Sequence, residues 1–327
     1  MADFELMPNS EVWVRTPTAA SALGLRSRRA EGPDPGKDGA TTTAGQAEAV
    51  VEAAVQLLLW RDLPKWQHPV SASIRDCLHS LAYLHNETVN IFSHIFGALL
   101  FFVLPIYIFN ATIPPRYDLA SAADILVVSL YFLGVAICFT LSVIFHTLSS
   151  HSPQIYTLGL HLDFQGVIIL MWSANIPLIF YSFPCIPSLR YTYFALITIL
   201  ALACSAFTFS PRFRDPHLRP LRAVTFGSLA LSTFVPVVHG ILRYGYETQS
   251  ERVGLRWVVA TLGFNTLGAV AYAFKFPEKW YPRTFDMFGA SHQIMHVAIV
   301  VAGVMYGLGV VAEFDYACGH RGECLAG

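Results

Sequence analysis

Seven apolar segments follow one another along the chain and are joined by short links that contain the turn-forming residues. They span residues 89–109, 122–145, 156–183, 191–209, 224–241, 258–274 and 294–312. Each is close to the ~20 residues that an α-helix needs to cross a hydrocarbon layer of about 30 Å. A helix satisfies its backbone hydrogen bonds internally, which irregular backbone exposed to lipid cannot do. The sequence therefore predicts an all-α fold, a seven-transmembrane helix bundle.

The composition agrees with a membrane protein. Charged residues make up only 13% of the chain and hydrophobic residues 54%, whereas soluble domains carry about 25% charged residues. The formal net charge of -1 gives no reason to expect a nucleic-acid partner. Residues 1–50 contain acids and prolines instead of the apolar core of a signal peptide, so we expect the chain to enter the membrane through its own spans.

The N-terminal region, residues 1–68, differs from the rest of the chain. Its first part is rich in Ala, Thr, Gly, Pro and charge, so we predict that it is mostly disordered and cytosolic. Apolar residues recur at helical spacing near 46–60, which predicts a short amphipathic helix ended by Pro64. A second such segment follows Ser71 or Ser73, either of which can cap it. We expect this second helix to lie on the membrane surface before the first span.

Basic residues in the links predict the orientation of the bundle, which covers residues 69–312. If the N-terminus is cytosolic, the inner side holds ten of them: Arg61, Lys65, Arg75, Arg212, Arg214, Arg219, Arg222, Lys275, Lys279 and Arg283. The opposite side holds six: Arg116, Arg190, Arg243, Arg252, Arg256 and Arg321. The positive-inside rule therefore favours a cytosolic N-terminus and a short non-cytosolic tail, residues 313–327. Cys318 and Cys324 in that tail can form a disulfide if it faces an oxidising space.

Two histidines, His292 and His296, open the seventh apolar segment in the sequence Ser-His-Gln-Ile-Met-His. Four residues are a little over one helical turn, so both imidazoles project from one helix face and can bind a single ion. Ionisable side chains inside a membrane segment are costly and mark functional sites. The pair therefore predicts two ligands of a metal site.

Alternating helix directions bring further polar residues to the same end of the bundle. With a cytosolic N-terminus, the odd-numbered spans run outward and the even-numbered spans run inward. The residues that then join His292 and His296 at the cytosolic end are His146 at the end of the second span, Asp163 early in the third, and Glu87, Asn90 and His94 at the start of the first. A helix bundle can gather such residues around one ion.

His146, His292 and His296 form the best ligand set. Three neutral imidazoles with an open fourth position are typical of a catalytic zinc, whereas structural sites usually include cysteines. We assign Asp163 as the residue that orients or deprotonates an activated water, and Ser142, one turn before His146, as a second candidate catalytic residue. Nothing in these residues favours iron or manganese over zinc.

Other interpretations of the same residues stay open. Asp163 can instead make a plain hydrogen bond between helices. Glu87, Asn90 and His94 can orient helices or cap the first span without taking part in chemistry. His161 is a rival ligand, although on a helix it points in a different direction from Asp163, two residues away.

Three motifs carry a resemblance to a known family. They are Glu87-Thr-Val-Asn90-Ile-Phe-Ser-His94, then Ser142-Val-Ile-Phe-His146 with Asp163 further along, then Ser291-His292-Gln-Ile-Met-His296-Val. The order of these motifs and their positions in the predicted topology agree as well. Across residues 69–312, the chain therefore resembles the progestin and adipoQ receptor family. This family includes adiponectin receptors, fungal Izh proteins and haemolysin III-like proteins.

The resemblance implies both a site and an activity. It implies zinc bound by the three matching histidines, His146, His292 and His296, with Asp163 near the water at the metal. Adiponectin receptors are linked to ceramide hydrolysis and the yeast members to zinc and sterol homeostasis, so we expect hydrolysis of a lipid amide such as ceramide. The alternatives are a non-enzymatic signalling receptor with a structural zinc, and a channel or pore. The expected partners are a membrane lipid (ceramide, sterol or fatty acid) or an extracellular ligand, at the plasma membrane or an endomembrane.

Overall fold

A computed structural model describes residues 4–6, 13–15, 73–113, 119–210 and 219–320 of the chain. It consists of two units, Met1–Gln67 and His68–Gly327. In the first unit, two short strands, Phe4–Leu6 and Trp13–Arg15, pair antiparallel. The prediction that most of residues 1–68 are disordered stays a prediction. The amphipathic helix predicted near 46–60 lies outside the described residues.

Among the described residues of the second unit, seven helices are long and apolar enough to cross a membrane. In chain order, the first to the seventh span are Thr88–Ala111, Ala122–Leu148, Pro153–Ser182, Pro187–Phe209, Val224–Tyr244, Leu255–Phe274 and Ser291–Gly319. Each overlaps the apolar segment that the sequence predicts at its position. The predicted seven-transmembrane bundle is confirmed, and the protein is an integral multi-pass membrane protein. The direction of the bundle across the membrane stays a prediction.

Two spans deviate from a regular α-helix. The first continues after Thr88–Tyr107 as a π-helical turn, Ile108–Thr112. The fifth consists of two helices, Arg219–Leu231 and Phe234–Tyr244, and Pro236 lies in the first turn of the second of them. Proline lacks a backbone N–H and is tolerated in a first turn, where that group has no partner within the helix. The break in the fifth span therefore lies just before its proline.

The seventh span is longer than the sequence predicts, since it continues to Gly319 instead of ending near residue 312. Cys318 consequently lies within a helix, where its side chain is buried in the core and is not disulfide-bonded. The disulfide between Cys318 and Cys324 that the sequence leaves open is therefore not formed. Cys185, in the turn after the third span, is disulfide-bonded.

The described part of the second unit also contains two short α-helices and a 3-10 helix, Ser80–Ala82, which follows the first of them. Ile74–His79 precedes the first span, and the side chain of Ser73 caps it by accepting a hydrogen bond from the backbone N–H of Asp76 at 3.4 Å. Its Leu78 side chain is exposed, as is required of a helix whose apolar face contacts lipid. The other short helix, Tyr246–Arg252, joins the fifth and sixth spans.

Small residues set the register between the second and third spans. A Cβ atom added to Gly166 would lie 3.0 Å from the Cα of Cys138, and one added to Gly159 would lie 3.0 Å from the ring of Phe145. Such close approach is typical of helix packing in membranes, where small side chains let backbones come together. Because the two spans are antiparallel, Asp163 lies between these contacts, at about the depth of Ser142.

Candidate metal centre

The structure brings His146, His292 and His296 together at one end of the bundle. One ring nitrogen from each lies within 4.8 Å of the others, and no cysteine or carboxylate of the described residues belongs to the group. The ring centroids are 4.7 to 5.1 Å apart. His146 and His296 are 4% and 2% exposed, respectively. Two spans that are distant in sequence therefore place three imidazoles around one point.

The ring nitrogens of this group fit a metal ion. Within the described part of the chain, Nε2 of His146 and Nδ1 of His296 are buried and have no hydrogen-bond partner. Leaving a buried polar atom without a partner costs about 1–3 kcal/mol, and a metal ion would bind the lone pair of each nitrogen. Three nitrogen ligands without a cysteine match the donor set of catalytic zinc sites.

Glu87 contacts the ring of His146 at the nitrogen that is not directed at the other two histidines. Nδ1 of His146 is 2.8 Å from Oε2 of Glu87, so an Nδ1–H donates to the carboxylate and leaves Nε2 directed at the other histidines. The amide of Asn90 donates to the same oxygen at 2.7 Å, and that of Asn86 donates to Oε1 at 3.2 Å. The interpretation of Glu87 and Asn90 as orienting residues agrees with these contacts. Glu87 precedes the first span without capping it through its side chain.

The carboxyl of Glu87 is ionised in this environment. Burial by itself raises its pKa, but the hydrogen bond from His146 and the proximity of the His146 and His292 imidazoles outweigh this effect and lower the pKa to about 2. A carboxylate at this position makes the His146 ring a better electron donor towards a metal.

His94 is a fourth histidine beside the group, although it is not a member of it. Its ring stacks on the ring of His296 with centroids 3.9 Å apart, and it lies 4.7 Å from the ring of Phe139. The side chain is 4% exposed. His94 thus packs against a candidate ligand and restricts the orientation of that ring.

Gln293, between the two histidines of the seventh span, was not singled out from the sequence. Its side chain is 2% exposed. Its Oε1 accepts hydrogen bonds from the backbone N–H groups of Gly289 and Ala290, at 2.6 and 3.3 Å. Its Nε2 donates to the backbone carbonyls of Asn86 and Met287, at 3.0 and 2.9 Å. This one amide ties the start of the seventh span to the residue before Glu87.

Glu278 provides a second anchor for the seventh span. The backbone N–H of Ser291 donates to Oε2 of Glu278 at 2.8 Å, and the Ser291 hydroxyl donates to Oε1. A carboxylate at a helix N-terminus satisfies a backbone N–H group and stabilises the helix dipole. Ser291, the residue before His292, is therefore held by the link between the sixth and seventh spans.

Asp163 and Ser142 lie about one helical turn deeper in the bundle than His146. Ser142 is 2% exposed and Asp163 is half-buried. Neither belongs to the group of candidate ligands, and their roles in catalysis stay predictions. The ring of His161 lies 5.7 Å from Phe209 of the fourth span, and the rival ligand is not part of the group either.

Comparison with known proteins places this site within a family. A family model described as Haemolysin-III related matches residues 82–306, a segment that contains the three histidines. The adiponectin receptor protein of Drosophila melanogaster is 32% identical over 285 residues, which cover 83% of this chain and 63% of that protein. The ADIPOR-like receptor IZH2 of Saccharomyces cerevisiae is 33% identical over 287 residues, 84% of this chain and 90% of that protein.

A human relative agrees with these two. Progestin and adipoQ receptor family member 3 of Homo sapiens is 31% identical over 236 residues, which cover 69% of this chain and 73% of that protein. The resemblance seen in the three motifs is thereby confirmed over most of the bundle. The chain belongs to the progestin and adipoQ receptor family, whose members include adiponectin receptor-like and haemolysin III-related membrane proteins.

Proposed function

We propose that this membrane protein is a zinc-dependent hydrolase of a lipid amide such as ceramide, with zinc held by His146, His292 and His296. The observation that carries the proposal is the convergence of three imidazoles, two buried and that of His292 half-buried, without a cysteine, at one end of the bundle. Zinc bound by three protein ligands supplies a Lewis acid that polarises a carbonyl and lowers the pKa of a water molecule.

The residues around the histidines have separate tasks in this proposal. Glu87 fixes the tautomer and orientation of His146, and His94 supports the ring of His296. Asp163, one turn deeper, accepts a proton from the water that attacks the amide carbonyl and later transfers it to the leaving amine. The Ser142 hydroxyl at the same depth offers a hydrogen-bond donor to the substrate.

An apolar cavity at the same end of the bundle as the histidines supports a lipid as the substrate. Its volume is about 420 Å³, and it lies between the first, sixth and seventh spans. Its walls include Val89, Phe264, Leu267, Val297 and Val301, together with Gln293 beside His292. We propose that an acyl chain occupies this cavity, since apolar walls at the end of the bundle that holds the histidines match a molecule with a hydrocarbon tail and a polar head.

An assay of the Asp163→Asn variant tests the proposed hydrolysis. The full chain is purified into lipid nanodiscs, and release of fatty acid from ceramide is measured by mass spectrometry along with bound zinc. We expect Asp163→Asn to retain zinc but to lose about 10²–10⁴-fold in rate, the usual contribution of a general base. A matched control is Asp286→Asn in the link before the seventh span, which we expect to leave the rate unchanged.

A receptor with a structural zinc is the second candidate function. Its support is that the candidate ligands come from the second and seventh spans, so that a bound ion would join two helices. If wild type and Asp163→Asn both hold zinc and both release fatty acid only at the background rate, the hydrolase is contradicted and the structural role is favoured.

A further inference from the structure

We propose that a second cavity, at the end of the bundle opposite the histidines, binds an anionic group, a carboxylate or a phosphate, between Arg252 and Arg190. The volume of this cavity is about 300 Å³, which is sufficient for a small anion or a lipid headgroup. The inference does not depend on the proposed hydrolase, because no residue of the metal centre takes part in it.

The position of the cavity follows from the helix ends that line it. They are Ser121 before the second span, Cys185 after the third, Arg190 in the fourth, Arg252 before the sixth, and Tyr316 and His320 at the end of the seventh. His146 lies at the end of the second span and His292 at the start of the seventh. The cavity and the metal centre are therefore separated by the length of the bundle.

Arg252 is a buried cation, and no described residue forms an ion pair with it. Its side chain is 7% exposed, and its Nε and Nη1 atoms are buried without a hydrogen-bond partner. The guanidinium lies 4.4 Å from the ring centroid of Tyr244 and 6.0 Å from that of Tyr316. Such ring contacts stabilise the charge but leave the N–H groups at the edge of the guanidinium unused. A buried charge without a partner is costly, so these donors indicate a ligand.

A second arginine faces the same cavity. The guanidinium of Arg190 lies 4.8 Å from the ring centroid of Phe180. Stacked, planar guanidinium groups present pairs of N–H donors at the spacing of carboxylate and phosphate oxygens. Two of them at one cavity make an anion the matching ligand.

Asp124 is the acid among the described residues that line the cavity, and its oxygens accept hydrogen bonds from neutral groups. Oδ2 of Asp124 accepts hydrogen bonds from the backbone N–H of Ser121 at 2.7 Å and from its hydroxyl at 2.5 Å. Oδ1 accepts from the hydroxyl of Tyr181 at 3.3 Å. Both oxygens of Asp124 are thus engaged by Ser121, as the cap of the second span, and by Tyr181.

Phosphate binding to the full chain tests the proposal. The protein is placed in phosphatidylcholine nanodiscs, and its melting temperature is measured against inorganic phosphate at constant ionic strength. A second arm replaces part of the phosphatidylcholine with phosphatidic acid, which distinguishes a lipid headgroup from a soluble anion. We expect at least one probe to raise the melting temperature in a saturable manner, because a ligand of the folded state stabilises it.

Substitutions of the arginines test whether binding depends on Arg252 and Arg190. We expect Arg252→Gln and Arg190→Gln each to weaken binding about tenfold or more. Arg256→Gln is the matched control, since Arg256 is exposed, stacks on Trp257 and does not line the cavity. Its binding should equal that of the wild type. Arg252→Lys keeps the charge but loses the planar pair of donors, and we expect it to bind more weakly than the wild type.

Two outcomes would overturn the proposal. One is that neither phosphate nor phosphatidic acid changes the melting temperature of the wild type. The other is that Arg256→Gln weakens binding as much as Arg252→Gln and Arg252→Lys do, since the effect would then be one of general surface charge. Bound zinc is measured in the same samples and should be equal in all variants. A failure of the anion-binding proposal can then be distinguished from a failure of the proposed metal centre.

Discussion

Replacing His292 with alanine is expected to lower the affinity for zinc by about 10²–10³-fold, because the binding free energy of zinc sites, about 10–16 kcal/mol, is shared among three or four ligands. The remaining pair, His146 and His296, belongs to different spans and cannot enclose an ion alone. The affinity is measured by competition with a chelator on the purified chain in nanodiscs.

The control for this variant is His161→Ala. His161 is also buried in a span, but its ring lies beside Phe209 and outside the group of three. We expect this substitution to leave zinc affinity unchanged. Equal loss of zinc in His161→Ala and His292→Ala would mean that the ligand set is wrong, and unchanged affinity in His292→Ala would exclude that residue as a ligand.

The second large effect is expected for Glu87→Gln. The substitution keeps the shape of the side chain but removes the negative charge that accepts the hydrogen bond of His146 at 2.8 Å. Loss of such a partner behind a ligand histidine typically weakens metal binding 10–100-fold. We therefore expect one zinc per chain at saturation, but a dissociation constant higher by that factor.

Glu247→Gln is the control for the charge itself. Glu247 is exposed on the short helix Tyr246–Arg252, at the other end of the bundle. If both glutamate variants weaken zinc binding to the same extent, the effect arises from the total charge of the protein. If Glu87→Gln binds zinc as tightly as the wild type, the hydrogen bond to His146 does not support the metal.

The spans were predictable because the bilayer imposes one length and one polarity on every crossing helix. Their internal details were not. The break before Pro236 depends on how the fifth span packs, and the extension to Gly319 depends on core contacts of Phe314 and Cys318. Apolar residues surround a membrane helix on all sides, so hydropathy does not indicate which face turns inward.

The candidate ligands were predictable for a different reason. The spacing of His292 and His296 places them on one helix face, and the parity of the spans places His146 at the same depth. The partners of these residues were harder to predict, because they depend on the rotation of neighbouring helices. Glu87 was recognised only as an orienting residue, and the hydrogen bonds of Gln293 to the links could not be derived from its position in the motif.

X-ray absorption spectroscopy of the purified, zinc-loaded wild type tests the three-histidine site most directly. We expect three imidazole nitrogens at about 2.0–2.1 Å from zinc, one further light atom, and no sulfur at about 2.3 Å. The imidazole signal should fall in His292→Ala and persist in His161→Ala. A sulfur neighbour, or a chain that holds no zinc after loading, would contradict the site formed by His146, His292 and His296.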